Sequence, residues 1–312
     1  MTSIRPRTLA ICVATHRRPH TLARLLDALA VVEAPPGCAL ELRVVDNDPA
    51  RSAAAAVDAF AHRVDAVRVR YAVEPRPGVA AVRNAALDLG PADLVAFIDD
   101  DEWPTQTWLV DLVAALDAHD ADAAVGPVVA ALDDAGPVWR RPRFRGAPCA
   151  EAGRVPWVAG RTGNALVCGA WFFARGFRFD EDFAFTGGED ADLFSRLDEA
   201  GAVIVASRAT VYEHVDVDRL SLLWLLERQR QQGMNFERIK SRRKDARPKV
   251  LRSGGHLVRI VVAATRAAGR QLVDRRVHDE RNLEVALRAA WWLGLLSEQL
   301  RLAPSHHYGR EP

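Results

Sequence analysis

Five short apolar runs, Thr8–Ala14, Leu40–Val45, Val67–Val73, Leu94–Ile98 and Ala123–Ala130, punctuate the first 130 residues. Each is long enough for a buried strand and too short for a helix. Between them Leu22, Leu25, Leu26 and Leu29 recur at helical spacing, as do Trp108, Leu109, Leu112, Val113 and Leu116. Strand and helix therefore alternate, which predicts an α/β fold with a doubly wound sheet flanked by helices. Ligands of such sheets collect beyond the carboxyl ends of the strands. Those ends carry Thr15, His16 and Arg17, then Asp46, Asn47 and Asp48, then Asp99, Asp100 and Asp101.

The chain has 312 residues, 49% apolar and 27% charged, enough to bury a core and unlike a disordered or fibrous chain. Cys12, Cys38, Cys149 and Cys168 show no CxxC or Cys/His spacing, so neither a structural zinc site nor a disulfide scaffold is expected. No GxGxxG follows the first strand and no GxxxxGK[ST] occurs, which disfavours a standard dinucleotide fold and a P-loop ATPase. No signal-peptide pattern follows the apolar start, and the run Ala289–Leu296 is far shorter than the roughly 18 residues of a membrane span. A cytoplasmic protein is expected, with peripheral contact at the inner face of the membrane as an extension of that reading.

That extension rests on charge. Residues 1–218 carry a net −10 and residues 219–312 a net +11. The split predicts two parts, 1–220 and 221–312, the second a basic helical extension. Arg252, Arg259, Arg266 and Arg270 would share one helical stripe, followed by Trp291-Trp-Leu-Gly-Leu-Leu296. Two readings stand: an amphipathic helix on an anionic membrane surface, or a helix packed on the first part with its arginines in water. No nucleic-acid recognition motif accompanies the arginines, so nucleic acid is not an expected partner.

Three strings carry chemistry. Val95-Ala-Phe-Ile-Asp-Asp-Asp-Glu102 is an apolar strand ending in four acids, whose mutual repulsion a hard divalent cation bridging to phosphate oxygens would offset. A solvated acidic turn is the other reading. Glu74-Pro-Arg-Pro-Gly-Val-Ala-Ala-Val-Arg-Asn84 sets Arg76, Gly78 and Arg83 around a helix start near Val79, a cradle suited to a diphosphate. Arg83 reads equally as an ion pair to an acidic strand end. In Phe185-Thr-Gly-Gly-Glu-Asp-Ala-Asp-Leu-Phe194, two glycines lead to Glu189 and Asp190 at a helix start, where a carboxylate could accept a hydroxyl proton or only cap the helix. Between Leu132 and Gly163 the periodicity fades, which predicts an excursion over the active edge.

In this order the strings resemble family 2 glycosyltransferases of the GT-A fold, in particular the bacterial subgroup with succinoglycan-type glucosyltransferases. The likeness spans about residues 8–233. It includes Ala10-Ile-Cys-Val-Ala-Thr-His-Arg-Arg-Pro19, Val44-Val-Asp-Asn-Asp48, Arg76-Pro-Gly-Val-Ala-Ala-Val-Arg-Asn84 and Phe97-Ile-Asp-Asp-Asp-Glu-Trp-Pro104. Val125-Gly-Pro-Val128, Thr162-Gly-Asn164, Gly187-Gly-Glu-Asp190 and Arg228, Arg230 and Gly233 complete it.

The resemblance implies a GT-A mixed sheet with a C-terminal helical extension, and inverting transfer of a hexose from a UDP-linked sugar to a saccharide or lipid-linked acceptor. It implies Thr15, Arg17, Asp46, Arg76, Gly78, Arg83, Asp99 and Asp100 around the nucleotide sugar. Asp101 and Asp99, with His214, would hold Mn2+ or Mg2+; Asp190 would be the catalytic base and Glu189 its neighbour on a sugar. Trp139, Thr162, Gly163 and Asn164 would meet the acceptor, and Trp157 is a further stacking candidate. A nucleotidyltransferase of related sheet topology and an inactive GT-A scaffold are the rival readings.

Overall fold

A computed structural model describes residues 6–131, 153–215, 221–243 and 280–301. Trp139, Cys149 and the arginine stripe from Arg252 to Arg270 lie outside these residues.

The first four expected strands form, each as long as predicted or slightly longer: β1 (Arg7–Thr15), β2 (Cys38–Asp46), β3 (Val67–Val73) and β4 (Leu94–Asp99). Helices α1 (Pro19–Leu29), α2 (Ala54–Arg63) and α3 (Val79–Asp88) connect them as crossovers, so all four run parallel. The chain continues through β5 (Glu102–Pro104), α4 (Trp108–Ala118), β6 (Ala123–Val125), β7 (Val128–Ala131), β8 (Ala165–Cys168), α5 (Ala170–Phe173), α6 (Glu189–Glu199), β9 (Ile204–Ala206) and β10 (Val211–His214). Strand β8 lies antiparallel between β4 and β6, which makes the seven-stranded sheet mixed, in the order β3-β2-β1-β4-β8-β6-β9. A second sheet places β10 between β5 and β7.

The period of two along β1 sorts its side chains to opposite faces. Leu9, Ile11 and Val13 join Leu22, Leu25, Phe60 and Leu112 in one core. Ala10 and Cys12 join Val82, Leu87, Phe172, Leu193 and Leu197 in the other. Both faces of the sheet are thus covered, and its polar strand ends are left as the place for chemistry.

The run Ala123–Ala130 departs from expectation: it is two strands in two sheets, not one. The break falls at Gly126-Pro127, where Gly126 donates to the Asn164 carbonyl and Pro127 has no N–H to extend a ladder. A methyl group at Gly126 would stand 2.1 Å from the Ala209 carbonyl oxygen. The Asn164 side chain latches this crossing. It accepts from Trp108 Nε1 at 2.9 Å and donates to the carbonyls of Pro127 at 2.9 Å and Ala209 at 2.7 Å.

The described residues form two compact units. The first comprises 6–131, 153–184 and 189–214. The second comprises 185–188, 215, 221–243 and 280–301, and is built on α7 (Leu222–Arg242) and α8 (Glu280–Gln299). Ser221 caps α7 by accepting from Trp224 N–H. Phe236 packs on Trp291 with ring centroids 5.5 Å apart, and Gln299 donates to buried Glu237 at 2.8 Å. Asn235 of α7 donates to the Thr186 carbonyl, ahead of Gly187 and Gly188, whose φ angles are 69° and 93°. Among the described residues no helix is long and apolar enough to cross a membrane.

Asn164→Ala strands the buried Trp108 indole N–H and the Ala209 carbonyl, whereas Pro127 keeps the Val211 N–H, so it should cost about 2 kcal/mol in urea unfolding. A loss under about 0.5 kcal/mol would show that the latch does not hold the strand crossing.

Candidate active site

Four adjacent acids at the end of β4 are tolerated because the turn into β5 spreads them over several partners. Asp99 is half-exposed and takes Arg83 Nη2 at 2.7 Å. Asp100 is buried, accepting from Thr15 Oγ1 at 2.7 Å and Arg18 Nη1 at 3.3 Å. Asp101 takes the same Arg18 nitrogen at 3.0 Å. Glu102 is buried and accepts the Asp99 N–H at 2.9 Å.

Arg83 is the hub. It projects from α3, almost wholly withdrawn from water, and pairs with Asp99 through Nη2 and with Glu189 through Nη1. Glu189 is the first residue of α6, so one guanidinium joins the β4 strand end to that helix start. Asp190 follows in the same turn, half-buried, its Oδ1 accepting the Ala191 N–H at 2.6 Å. Burial works against the Arg83 charge, but Asp99, Glu189 and Asp190 outweigh it and hold the guanidinium cationic. Burial, foremost, pushes the Glu189 carboxyl up to about 7, with Asp190 adding and Arg83 opposing. Glu189 Oε2 is buried with no hydrogen-bond partner. Of the two readings of Arg83, the ion pair is the one these contacts describe.

Asp46, expected at the nucleotide, is fully buried and accepts from Asp48 N–H at 2.9 Å, Ala53 N–H at 2.8 Å and Tyr71 Oη at 2.9 Å. Its carboxylate shapes the loop after β2. Asn47, quoted in the Val44–Asp48 string but given no role there, ties that loop to the next: its amide donates to the carbonyls of Glu74 and Arg76, and its Oδ1 accepts Gly78 N–H. Its only signal in the sequence is a carboxamide at a strand end between two aspartates. Arg76 pairs with Glu74 and Glu181, and Arg17 lies 3.5 Å from Asp48. Gly78, with φ of 110°, precedes the first turn of α3.

Of the expected acceptor residues, Thr162, Gly163 and Asn164 lie among the described residues. Thr162 and Asn164 are buried, and every amide contact of Asn164 described above points into the fold, so its burial argues against the acceptor contact expected of it. Gly163 abuts Glu102, where a methyl group would come within 2.4 Å of Oε1. Trp157 is half-buried in a short 3-10 turn. His214 N–H donates to the Asp101 carbonyl at 2.9 Å, continuing the pairing of Glu213 with Glu102, so β10 brings His214 beside Asp101.

Burial of Asp100, opposed by Thr15 and Arg18, raises its carboxyl to about 6. Burial also raises Glu102 well above the ordinary carboxyl range, and nearby Asp99 adds to the effect. A native state that keeps a proton which the unfolded chain has lost becomes less stable as pH rises above about 4.3. Glu102→Gln mimics the protonated acid, so with chelator present it should flatten the decline in urea-unfolding stability between pH 5 and pH 7. Parallel curves for the two proteins would show that Glu102 is ionised in the fold.

The family described as Glycosyl transferase family 2 matches residues 10–178. Over 230 residues the chain is 33% identical to the succinoglycan biosynthesis protein ExoM of Rhizobium meliloti (strain 1021), covering 73% of this chain and 74% of that one. Its fold is similar to that of the mannosyltransferase PcManGT from Pyrobaculum calidifontis, solved in complex with GDP-Man and Mn2+. The TM-score is 0.66 at 16% identity, over 96% of this chain and 89% of that one. S. aureus TarS 1-349 in complex with UDP-GlcNAc gives 0.52 at 17% identity, over 73% and 66%. Against a longer TarS chain, this one spans 44% of the length. The solved structures bear on fold, which is of the GT-A type. On the match over residues 10–178 and the identity to ExoM, the chain belongs to glycosyl transferase family 2.

Proposed function

We propose that this chain is an inverting glycosyltransferase that moves a hexose from a UDP-linked sugar to a saccharide or lipid-linked acceptor in polysaccharide or glycoconjugate biosynthesis. The observation that carries this is the Arg83 bridge, which sets the Glu189-Asp190 helix start against the acidic end of β4. A donor diphosphate and an acceptor base both need such a neighbourhood. The part of the Rhizobium meliloti protein ExoM in succinoglycan biosynthesis and the nucleotide sugars bound by PcManGT and TarS support the substrate class.

Thr15, Arg17, Arg76, Gly78, Arg83, Asp99 and Asp100 are assigned to the donor, with Asp46 acting through the loop it shapes. Gly78 offers the amides at the start of α3 to phosphate oxygens. Among the described residues no three His, Cys, Asp or Glu side chains are grouped to share an ion. Asp101, just ahead of β5, is therefore assigned as the protein's main ligand, with phosphate oxygens supplying most of the remaining shell and Asp99 and His214, whose N–H meets the Asp101 carbonyl, as the further candidates; these donor types suit Mn2+ or Mg2+. Such a cation, when bound, neutralises the charge that builds on the departing diphosphate.

Asp190 Oδ1 is held by the Ala191 N–H, which leaves Oδ2 to take the acceptor's proton. The acceptor oxygen then bonds to the anomeric carbon as the bond to the diphosphate breaks, with that electron pair leaving on the phosphate oxygen. The buried, unpartnered Glu189 Oε2 would recover about 1–3 kcal/mol by pairing with a sugar hydroxyl. The chain would act as a cytoplasmic enzyme that meets the inner face of the membrane through its basic extension, residues 221–312.

Asp190→Asn should lower transfer about 100- to 10,000-fold while keeping the rise in melting temperature that UDP and Mn2+ give the wild type. Near wild-type turnover would remove Asp190 from the role of base. For the membrane contact, substituting Arg252, Arg259, Arg266 and Arg270 by glutamine should abolish salt-sensitive cosedimentation with vesicles containing anionic lipid. Undiminished binding would assign that contact to other residues.

A further inference from the structure

Arg18 stands just ahead of α1, outside helical geometry at φ −126° and ψ 54°, and follows Arg17, whose φ is 53°. A single nitrogen, Nη1, serves two acids: Asp101 Oδ2 at 3.0 Å and Asp100 Oδ1 at 3.3 Å. The Asp101 side chain is 14% exposed, whereas that of Arg18 is 41% exposed. A carboxylate so far withdrawn from water needs a positive neighbour, and here one reaches it from the solvent side. Asp100 has a second partner on its other oxygen, Thr15 Oγ1 at 2.7 Å.

The inference rests on the reading of Asp101 as a cation ligand. A carboxylate oxygen that takes a divalent ion cannot keep a guanidinium on the same side, because the two positive groups repel at contact distance. We propose that Arg18 is a placeholder for the divalent cation: it neutralises Asp101 while the cation is away and must release that oxygen for the cation to bind. Release does not strand Asp100, since Thr15 Oγ1 still holds its other oxygen. The displaced guanidinium can then turn its fork to phosphate oxygens. Cation and nucleotide diphosphate binding become linked through one side chain, each favouring the other by the same factor. Arg18 is in this sense a positioning residue.

The test is Mn2+ alone, titrated into the full-length protein and followed by the electron paramagnetic resonance signal of the free ion. Arg18→Gln should bind Mn2+ about five-fold tighter than wild type; Arg18→Lys, which keeps the charge, should stay near the wild-type value. Arg17→Gln removes the same charge one residue away and should change the affinity less than about two-fold. Asp101→Asn should abolish binding with either residue at position 18. A purely structural Arg18 would leave the affinity unchanged or lower it when substituted. If Arg18→Gln binds no tighter than wild type, or if Arg17→Gln tightens binding equally, the placeholder is overturned although Asp101 still holds the ion. If Asp101→Asn leaves Mn2+ binding intact, the cation assignment itself fails and the placeholder fails with it.

Discussion

A guanidinium sealed from water between two carboxylates is the constraint on which the site depends. Arg83 cannot shed its charge, and leaving it buried and unpaired would cost several kcal/mol. Asp99 and Glu189 are therefore bound to stay within its reach. They come from elements 90 residues apart, the end of β4 and the start of α6. Packing on the second sheet face fixes the two helices that meet there, through Val82 and Leu87 of α3 and Leu193 and Leu197 of α6. The ion pair then sets the angle at which Asp190, next in the chain, presents its carboxylate.

The same economy explains how four consecutive acids survive at one strand end. One has an exposed flank and an arginine, one a hydroxyl and a share of Arg18, one the rest of Arg18, and one a backbone amide in a dry cavity. Charge repulsion is relieved by sending the side chains apart. Asp100 and Glu102 are pushed toward the neutral acid by burial. A cluster that looks uniform in the sequence is chemically graded in space.

Much of this was legible from periodicity. The first four strands, the crossover helices and the start of α3 at Val79 follow from spacing that local physics enforces, because both faces of the sheet must be apolar. The division of Ala123–Ala130 was only half legible: Gly126-Pro127 inside the run is a turn signal that the apolar reading passed over, while Asn164, which latches the crossing, lies far along the chain. Motif reading brought Arg83, Asp99, Glu189 and Asp190 to notice but left open whether Arg83 met an acid or a nucleotide. It also gave Asp46 and Asn164 outward roles, where burial shows each carboxylate or amide spent within the fold. Asn47, Arg18 and Glu102 lie inside the quoted strings yet received no role of their own, for a common reason. Their importance comes from which backbone group or acid stands opposite them, and only the folded chain determines that.

Diffraction at the manganese edge from crystals grown with UDP and Mn2+ tests the central claim most directly. The account predicts one strong anomalous peak beside Asp101 and His214, with Arg83 still bridging Asp99 and Glu189 and Asp190 facing the same cavity. A peak remote from Asp101, or an Arg83 turned away from both acids, would contradict it.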